Sequence, residues 1–204
     1  MNSARYSMSF TTGSLFHRES VGLAALYLEL GSWSSVRDKA IAENLLQTRT
    51  VNTLKRVCSE VISRLRTLSP DEIELLVEGS HQEQAYLLWI AACRRYSFIA
   101  EFAVEVVRER YITLKTNLNH DDFDAFFNRK SEWHSELDAL TPATRGKLRQ
   151  VLFKMLREAD LLTASSMINA AMLSTKLLKV VSHVSRKDIS YFPVFESDLK
   201  GMTQ

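Results

Sequence analysis

The chain has 204 residues, 46% of them hydrophobic and 25% charged, with a formal net charge of +2. That length holds one large domain or two small ones and can bury a core without disulfide staples. The apolar share excludes a disordered chain, and only six Gly and three Pro point to long helices with few tight turns. In chain order, residues 1–14 are small and hydroxyl-rich and read as an extended arm ending in a turn at Gly13. Residues 15–30 form a first helix with Val21, Leu23, Leu26, Tyr27 and Leu30 apolar, stopped at Gly31. A second helix follows, capped by Ser34 or Ser35, with Val36, Ala40, Ile41 and Leu45 facing inward. A turn near 47–48 leads into the most informative stretch.

Residues 47–68 read QTRTVNTLKRVCSEVISRLRTL. Val51, Leu54, Val57, Cys58, Val61, Ile62, Leu65 and Leu68 recur at three- and four-residue spacing and mark one face of a helix. The opposite side carries Arg49, Asn52, Thr53, Lys55, Arg56, Arg64 and Arg66 against the single acid Glu60. Arg49, Asn52, Thr53 and Arg56 follow the i, i+3, i+4, i+7 pattern and make one ridge near the helix start. Arg, Asn and Thr on such a ridge have the donors that read base edges in a major groove. Helix, short turn and basic helix together are the order of a helix-turn-helix.

Two explicit helix starts come next. Ser69-Pro70-Asp71-Glu72 places a cap, a Pro at the first helical position and a Glu three residues after the Ser; Ser80-His81-Gln82-Glu83 repeats the capping box. The second opens a strongly apolar helix through Trp89, and another helix spans 98–111. Residues 116–122 read as a linker, which sets the expected boundary between a helical domain of residues 1–116 and a second domain of residues 117–204. In the second, Asp121 or Asp122 caps a short helix bearing Phe123, Phe126 and Phe127. Thr141-Pro142 then begins a helix whose apolar face is Leu148, Val151, Leu152, Met155 and Leu156 and whose other face holds Arg145, Lys147, Arg149, Lys154 and Arg157. Residues 161–169 suggest a small hairpin turning at Ala164-Ser165-Ser166, Ser174 caps a further helix, and 189–195 read as extended. A basic helix followed by a short hairpin is the order of a winged helix. The fold expected is therefore mainly α: a multi-helix bundle with an N-terminal helix-turn-helix-like segment and a C-terminal winged-helix-like segment with one small hairpin.

Charge is unevenly distributed. Residues 37–66 carry seven Lys/Arg and three Asp/Glu, residues 69–140 seven and fourteen, and residues 141–190 nine and three. Two basic blocks flank an acidic middle, which fits a protein with one anion-binding face. Cys58 and Cys93 sit on apolar faces and read as reduced core thiols, consistent with a cytoplasmic protein. The first fourteen residues are polar and are not a signal peptide. The apolar run 21–30 contains Glu29 and falls far short of the roughly 20 residues a bilayer requires. A soluble chain is expected.

No constellation for catalysis emerges. The five histidines, His17, His81, His120, His134 and His183, show no metal-ligand spacing, and His120-Asp121-Asp122 reads as a helix-capping loop before a cation site. No Gly-rich phosphate loop or nucleophile elbow is present. Trp89, Trp133 and the phenylalanines read as core, Trp33 as the one exposed aromatic, and Arg94-Arg95 as partners of Glu101 or Glu105. No enzyme, no cofactor, no metal and no small-molecule substrate are expected. Duplex DNA is the expected partner, with Lys55, Arg64, Arg66, Arg145, Lys147, Arg149 and Lys154 neutralising phosphates and Arg49, Asn52, Thr53 and Arg56 reading bases.

Several segments in order resemble the BrxA family of bacterial BREX phage-defence systems: Ser9-Phe10-Thr11-Thr12-Gly13-Ser14-Leu15; Glu43-Asn44-Leu45-Leu46-Gln47-Thr48-Arg49-Thr50; Leu87-Leu88-Trp89 with Cys93-Arg94 and Tyr96; Phe123-Asp124-Ala125-Phe126-Phe127-Asn128; Glu132-Trp133-His134; Leu152-Phe153-Lys154-Met155-Leu156-Arg157-Glu158-Ala159; and Tyr191-Phe192-Pro193. The resemblance spans nearly the whole chain. It implies a small, mostly helical cytoplasmic protein similar in fold to NusB, a helical RNA-binding antitermination factor. It also implies a DNA-binding role beside other defence proteins, with no catalytic motif to carry over. A scaffold that holds other defence proteins together, and a NusB-like RNA binder, are the alternatives.

Overall fold

The computed structural model describes residues 5–195, so the first four residues of the expected arm lie outside the described residues. Two segments dominate the architecture, a three-helix N-terminal layer and a central apolar helix. The layer is α1 (His17–Leu30), α2 (Trp33–Ala42) and α3 (Val51–Leu65). The central helix is α5 (His81–Arg95), reached through α4 (Pro70–Glu78). Residues 85–93 of α5 are all buried, so this helix is apolar all round and sits at the middle of the core. Both capping boxes form: Ser69 and Ser80 accept from the backbone N–H of Glu72 and Glu83, whose carboxylates reach back to the Ser N–H groups.

A rod over 97–112 follows, made of α6 (Ser97–Phe102), a π-helical turn (Ala103–Arg108) and α7 (Glu109–Ile112). Then come α8 (His120–Ser131), α9 (Ser135–Asp138), α10 (Pro142–Glu158), α11 (Thr175–Val184) and a 3-10 segment (Arg186–Tyr191). The mainly α class holds, and no strand is present among the described residues. The expected hairpin is there in reduced form: one antiparallel bridge joins Leu162 and Ile168, and a second joins Asn117 and Met167.

The core does not divide at 116. One cluster of buried side chains runs from Tyr6 to Val194, and Thr116 accepts from the Ile168 N–H across the expected boundary at 2.7 Å. The arm is part of that core. Phe10 and Leu15 are buried, and Tyr6 donates its N–H to Glu136 and its hydroxyl to Glu101, both at 2.6 Å, while its ring stacks on His134. Leu15 N–H donates to Glu158 at 2.7 Å.

Other local expectations shift where a distant partner decides. The cap of α2 is Ser32, and that of α8 is Asn119, which forms a capping box with Asp122. Residues 186–191 wind into a 3-10 turn instead of extending, because Asp188 is drawn inward to Arg94 at 2.6 Å. Arg94 also pairs with the fully buried Glu72 at 2.7 Å, so Glu101 and Glu105 are not its partners. Those two acids hold Lys130. Trp33 is half-buried, stacked on Tyr27 at 4.1 Å, whereas Trp133 is 79% exposed and does not join the core. Cys58 and Cys93 are free and buried, and burial pushes both thiols up.

Candidate nucleic-acid interface

The order helix, connection, basic helix holds in α2 and α3. Their connection, residues 43–50, is longer than the three or four residues of the tight motif. It is shaped by left-handed Asn44 and Gln47. Asn tolerates that conformation, and here its side chain clamps the loop: it accepts from the Thr48 N–H at 3.1 Å and donates to the Thr48 carbonyl at 3.2 Å. Thr50 then caps α3 by accepting from the Thr53 N–H. The clamp and the cap set the position from which Arg49 leaves the chain.

Leu54, Val57, Cys58, Val61, Ile62 and Leu65 are buried, as the periodicity requires. Val51 is the exception at 59% exposed, since it precedes the first turn that meets α1 and α2. On the other side Arg49, Asn52, Lys55, Arg56 and Arg66 are exposed, and none of the four cations has an ion-pair partner among the described residues. Asn52, Arg56, Ser59, Ser63 and Arg66 follow one another at steps of three and four, so they form a stripe about 21 Å long at 1.5 Å per residue; Arg49 lies in the loop before the extended cap residue Thr50, outside the helical repeat. Thr53 is half-buried, and its hydroxyl receives the Thr50 hydroxyl at 2.9 Å, which ties it to the cap. Arg66 also lines, with Arg37, Trp33 and Ser59, a shallow groove of about 250 Å³ between α2 and α3. Arg37, which opens the first basic block, is exposed on α2 and joins this surface, beside Asp38.

Arg64 departs from the sequence expectation. It is 3% exposed and faces the core side of α3, where it donates to Glu60 at 2.8 Å and to the Ser14 carbonyl at 2.7 Å. Glu60 in turn accepts the Tyr96 hydroxyl. Arg64 therefore fastens the arm to the bundle and presents no charge to solvent. The reason is the wheel itself: at 100° per residue position 64 falls about 20° beyond the buried Val57, at the edge of the apolar face.

The second set, on α10, is arranged differently. Arg145 pairs with Asp124 at 2.8 Å, donates to Asn128 and lies over the Phe127 ring at 4.4 Å. Arg149 pairs with the other Asp124 oxygen. Lys154 is exposed and sits 3.6 Å from Glu158, and Lys147 is exposed with no ion pair among the described residues. Chemically, α3 offers free guanidinium and amide donors, and α10 offers the ammonium groups of Lys147 and Lys154 and the exposed guanidinium of Arg157, which lies over the Phe153 ring at 5.9 Å. No cluster of three or more metal-binding side chains occurs among the described residues, and no helix there is long and apolar enough to cross a membrane.

An all-helical body with an unpaired basic face on α3 is the class this geometry defines. Residues 4–184 match the family described as BrxA, and the chain belongs to that family, a component of BREX defence systems. It is 29% identical over 147 residues to the BREX protein BrxA of Escherichia coli O9:H4 (strain HS), covering 72% of this chain and 69% of that one. To the BREX protein BrxA of Paramagnetospirillum magneticum (strain AMB-1) it is 27% identical over 165 residues, covering 81% and 83%. A crystal structure of an uncharacterized protein from Magnetospirillum magneticum shares the fold, with a TM-score of 0.77 at 21% identity over 93% of this chain and 98% of that chain.

Proposed function

We propose that this chain is a non-enzymatic, duplex-DNA-binding component of a BREX defence system, working in the cytoplasm beside other BREX proteins. The observation that carries the reading is the α3 surface: exposed Asn52, Lys55, Arg56 and Arg66, with Arg49 just before the helix, none of the four cations in an ion pair among the described residues, on a helix whose other side is locked into the core. Arg49, Asn52 and Arg56 supply the donors for base edges, and Lys55, Arg66, Lys147 and Lys154 the phosphate contacts. Fluorescence anisotropy with unrelated 20-base-pair duplexes at several salt concentrations tests it. With about five phosphate contacts the log–log slope of affinity against salt is about −4.5. A flat slope, or no binding at low salt, favours a scaffold. Displacement of the duplex by equimolar RNA of mixed sequence favours an RNA-binding role.

A further inference from the structure

A second basic surface lies on α11, outside every residue considered above. The helix buries Leu177, Leu178 and Val181 and turns Lys176, Lys179 and His183 outward at i, i+3 and i+7. Arg186, in the first turn of the following 3-10 segment, extends the row. These four side chains, with Val180 and Ser182, line a groove of about 700 Å³ whose far wall is Asp71 in the first turn of α4. Asp71 is the only acid lining it among the described residues. Lys176, Lys179 and Arg186 form no ion pair among the described residues. The field of Lys176 reaches Glu83, but that carboxylate is already engaged by the Ser174 hydroxyl at 2.5 Å and the Ser80 N–H at 2.8 Å. The positive charge of the groove therefore faces solvent.

Spacing and place suggest what fills it. From Lys176 to His183 the helical row is about 10 Å long at 1.5 Å per residue, with Arg186 beyond the extended Ser185 also lining the groove, enough to meet about three phosphates of one strand at 3.4 Å rise. The groove is also joined to the α3 stripe by a short tether. Arg66 ends that stripe and Asp71 stands only five residues later, so at most about 18 Å of extended chain separates the two surfaces. A lone basic patch would suit any polyanion. One tethered this closely to a second unpaired basic stripe suits a single long one.

Resting on the DNA reading above, we infer that the α11 groove is a second phosphate-backbone site, occupied by the same duplex that lies along α3. Its role is to add contacts on long duplexes; sequence reading stays with α3. The two sites act through one polymer, so the second contact is intramolecular and raises affinity for any duplex long enough to reach both.

The test compares the native protein with Lys176→Glu/Lys179→Glu/Arg186→Glu on 10- and 30-base-pair duplexes, with circular dichroism melts to establish folding. The neutral variant Lys179→Gln/Arg186→Gln serves if charge reversal unfolds the chain. The expected result is at least a tenfold loss on the 30-base-pair duplex and less than a threefold loss on the 10-base-pair one. The salt slope on the long duplex should flatten by about two units or more, since each lost phosphate contact removes about 0.9. Unchanged affinity and slope in a folded variant, with native binding intact, overturn the α11 site and leave the α3 reading standing. Failure of the native protein to bind either duplex overturns both. Poly-L-glutamate held more tightly than the long duplex, and lost in the same variants, overturns the phosphate assignment in favour of an acidic protein partner.

Discussion

The helices α3 and α10 look alike in sequence and differ in what stands opposite them. Each has an apolar face at helical spacing and a Lys/Arg-rich face, and each begins with a capping Thr. Over α3 none of Arg49, Lys55, Arg56 and Arg66 forms an ion pair among the described residues, although Asp38 lines the groove beside Arg66. Over α10 the helix α8 presents Asp124, which takes both Arg145 and Arg149. The difference lies in one side chain of a neighbouring helix, twenty-one and twenty-five residues away in sequence. An amphipathic basic helix becomes an anion-binding surface only if its neighbours leave its charges alone.

The hardest test of this contrast falls on the arginine of α3 that behaves like those of α10. Arg64→Met keeps the volume but leaves Glu60 without its guanidinium and the Ser14 carbonyl without its donor. Breaking a buried pair on one side costs about 3 kcal/mol, or a fall in Tm of about 6 to 12 °C for a chain of this size. Urea denaturation reads it, and duplex affinity of the folded protein should stay within twofold. An unchanged urea midpoint would show that Arg64 fastens nothing.

Arg145→Ala with Arg149→Ala comes next. The pair with Asp124 is about seven-tenths shielded, so the loss should be about 1 to 2 kcal/mol, again with DNA affinity nearly unchanged. A large loss of affinity without a loss of stability would reverse the roles assigned to the two helices.

Arg49→Ala with Arg56→Ala inverts the pattern. The buried side of α3 is untouched, so Tm should move by no more than a degree or two. Affinity for a 20-base-pair duplex should fall at least tenfold, about 1.4 kcal/mol. Native affinity in a folded double variant would remove α3 from the interface.

The smallest effect concerns the joint between α1 and α5, where His17 stacks on His81 at 4.2 Å. Burial, and then the neighbouring His81, hold the His17 pKa below the ordinary histidine value of about 6.5. The unfolded chain therefore binds more protons than the folded one as pH drops through 6.5. Stability is full above that value and falls below it, down to the lowered folded pKa. Tm measured by differential scanning fluorimetry at pH 7.5 and 5.5 should drop less in His17→Gln than in the native protein. Equal drops would mean that His17 is not the group responsible.

What the sequence made legible was local. The capping boxes at Ser69 and Ser80, the buried side of α3 and the two core thiols depend on residues within one or two turns, where spacing and propensity decide. What it hid was set by partners far along the chain. Arg94 finds Glu72 and Asp188 instead of the acids that follow it, and Asp188 thereby coils a segment whose alternating pattern reads as extended. Trp133 carries the composition of a core residue, but it falls in the break between α8 and α9 and stays in solvent. Of the site residues, Arg49, Asn52, Lys55, Arg56, Arg66 and Lys147 stand free as their types suggest. Arg64, Arg145 and Arg149 do not, because an arginine's spacing cannot say which carboxylate will reach it first.

The N-terminal arm has a consequence for how the chain comes into being. Tyr6, Phe10 and Leu15 are made well before the groups that receive them: Tyr96 and Phe98 for Phe10, His134 and Glu136 for Tyr6, and Glu158 for Leu15. During synthesis the ring of Phe10 waits in water until Tyr96 and Phe98 have followed it, and the ring of Tyr6 until His134 and Glu136 have. Docking of the arm is thus delayed until the bundle that receives it has been made, so some of the earliest residues are seated late.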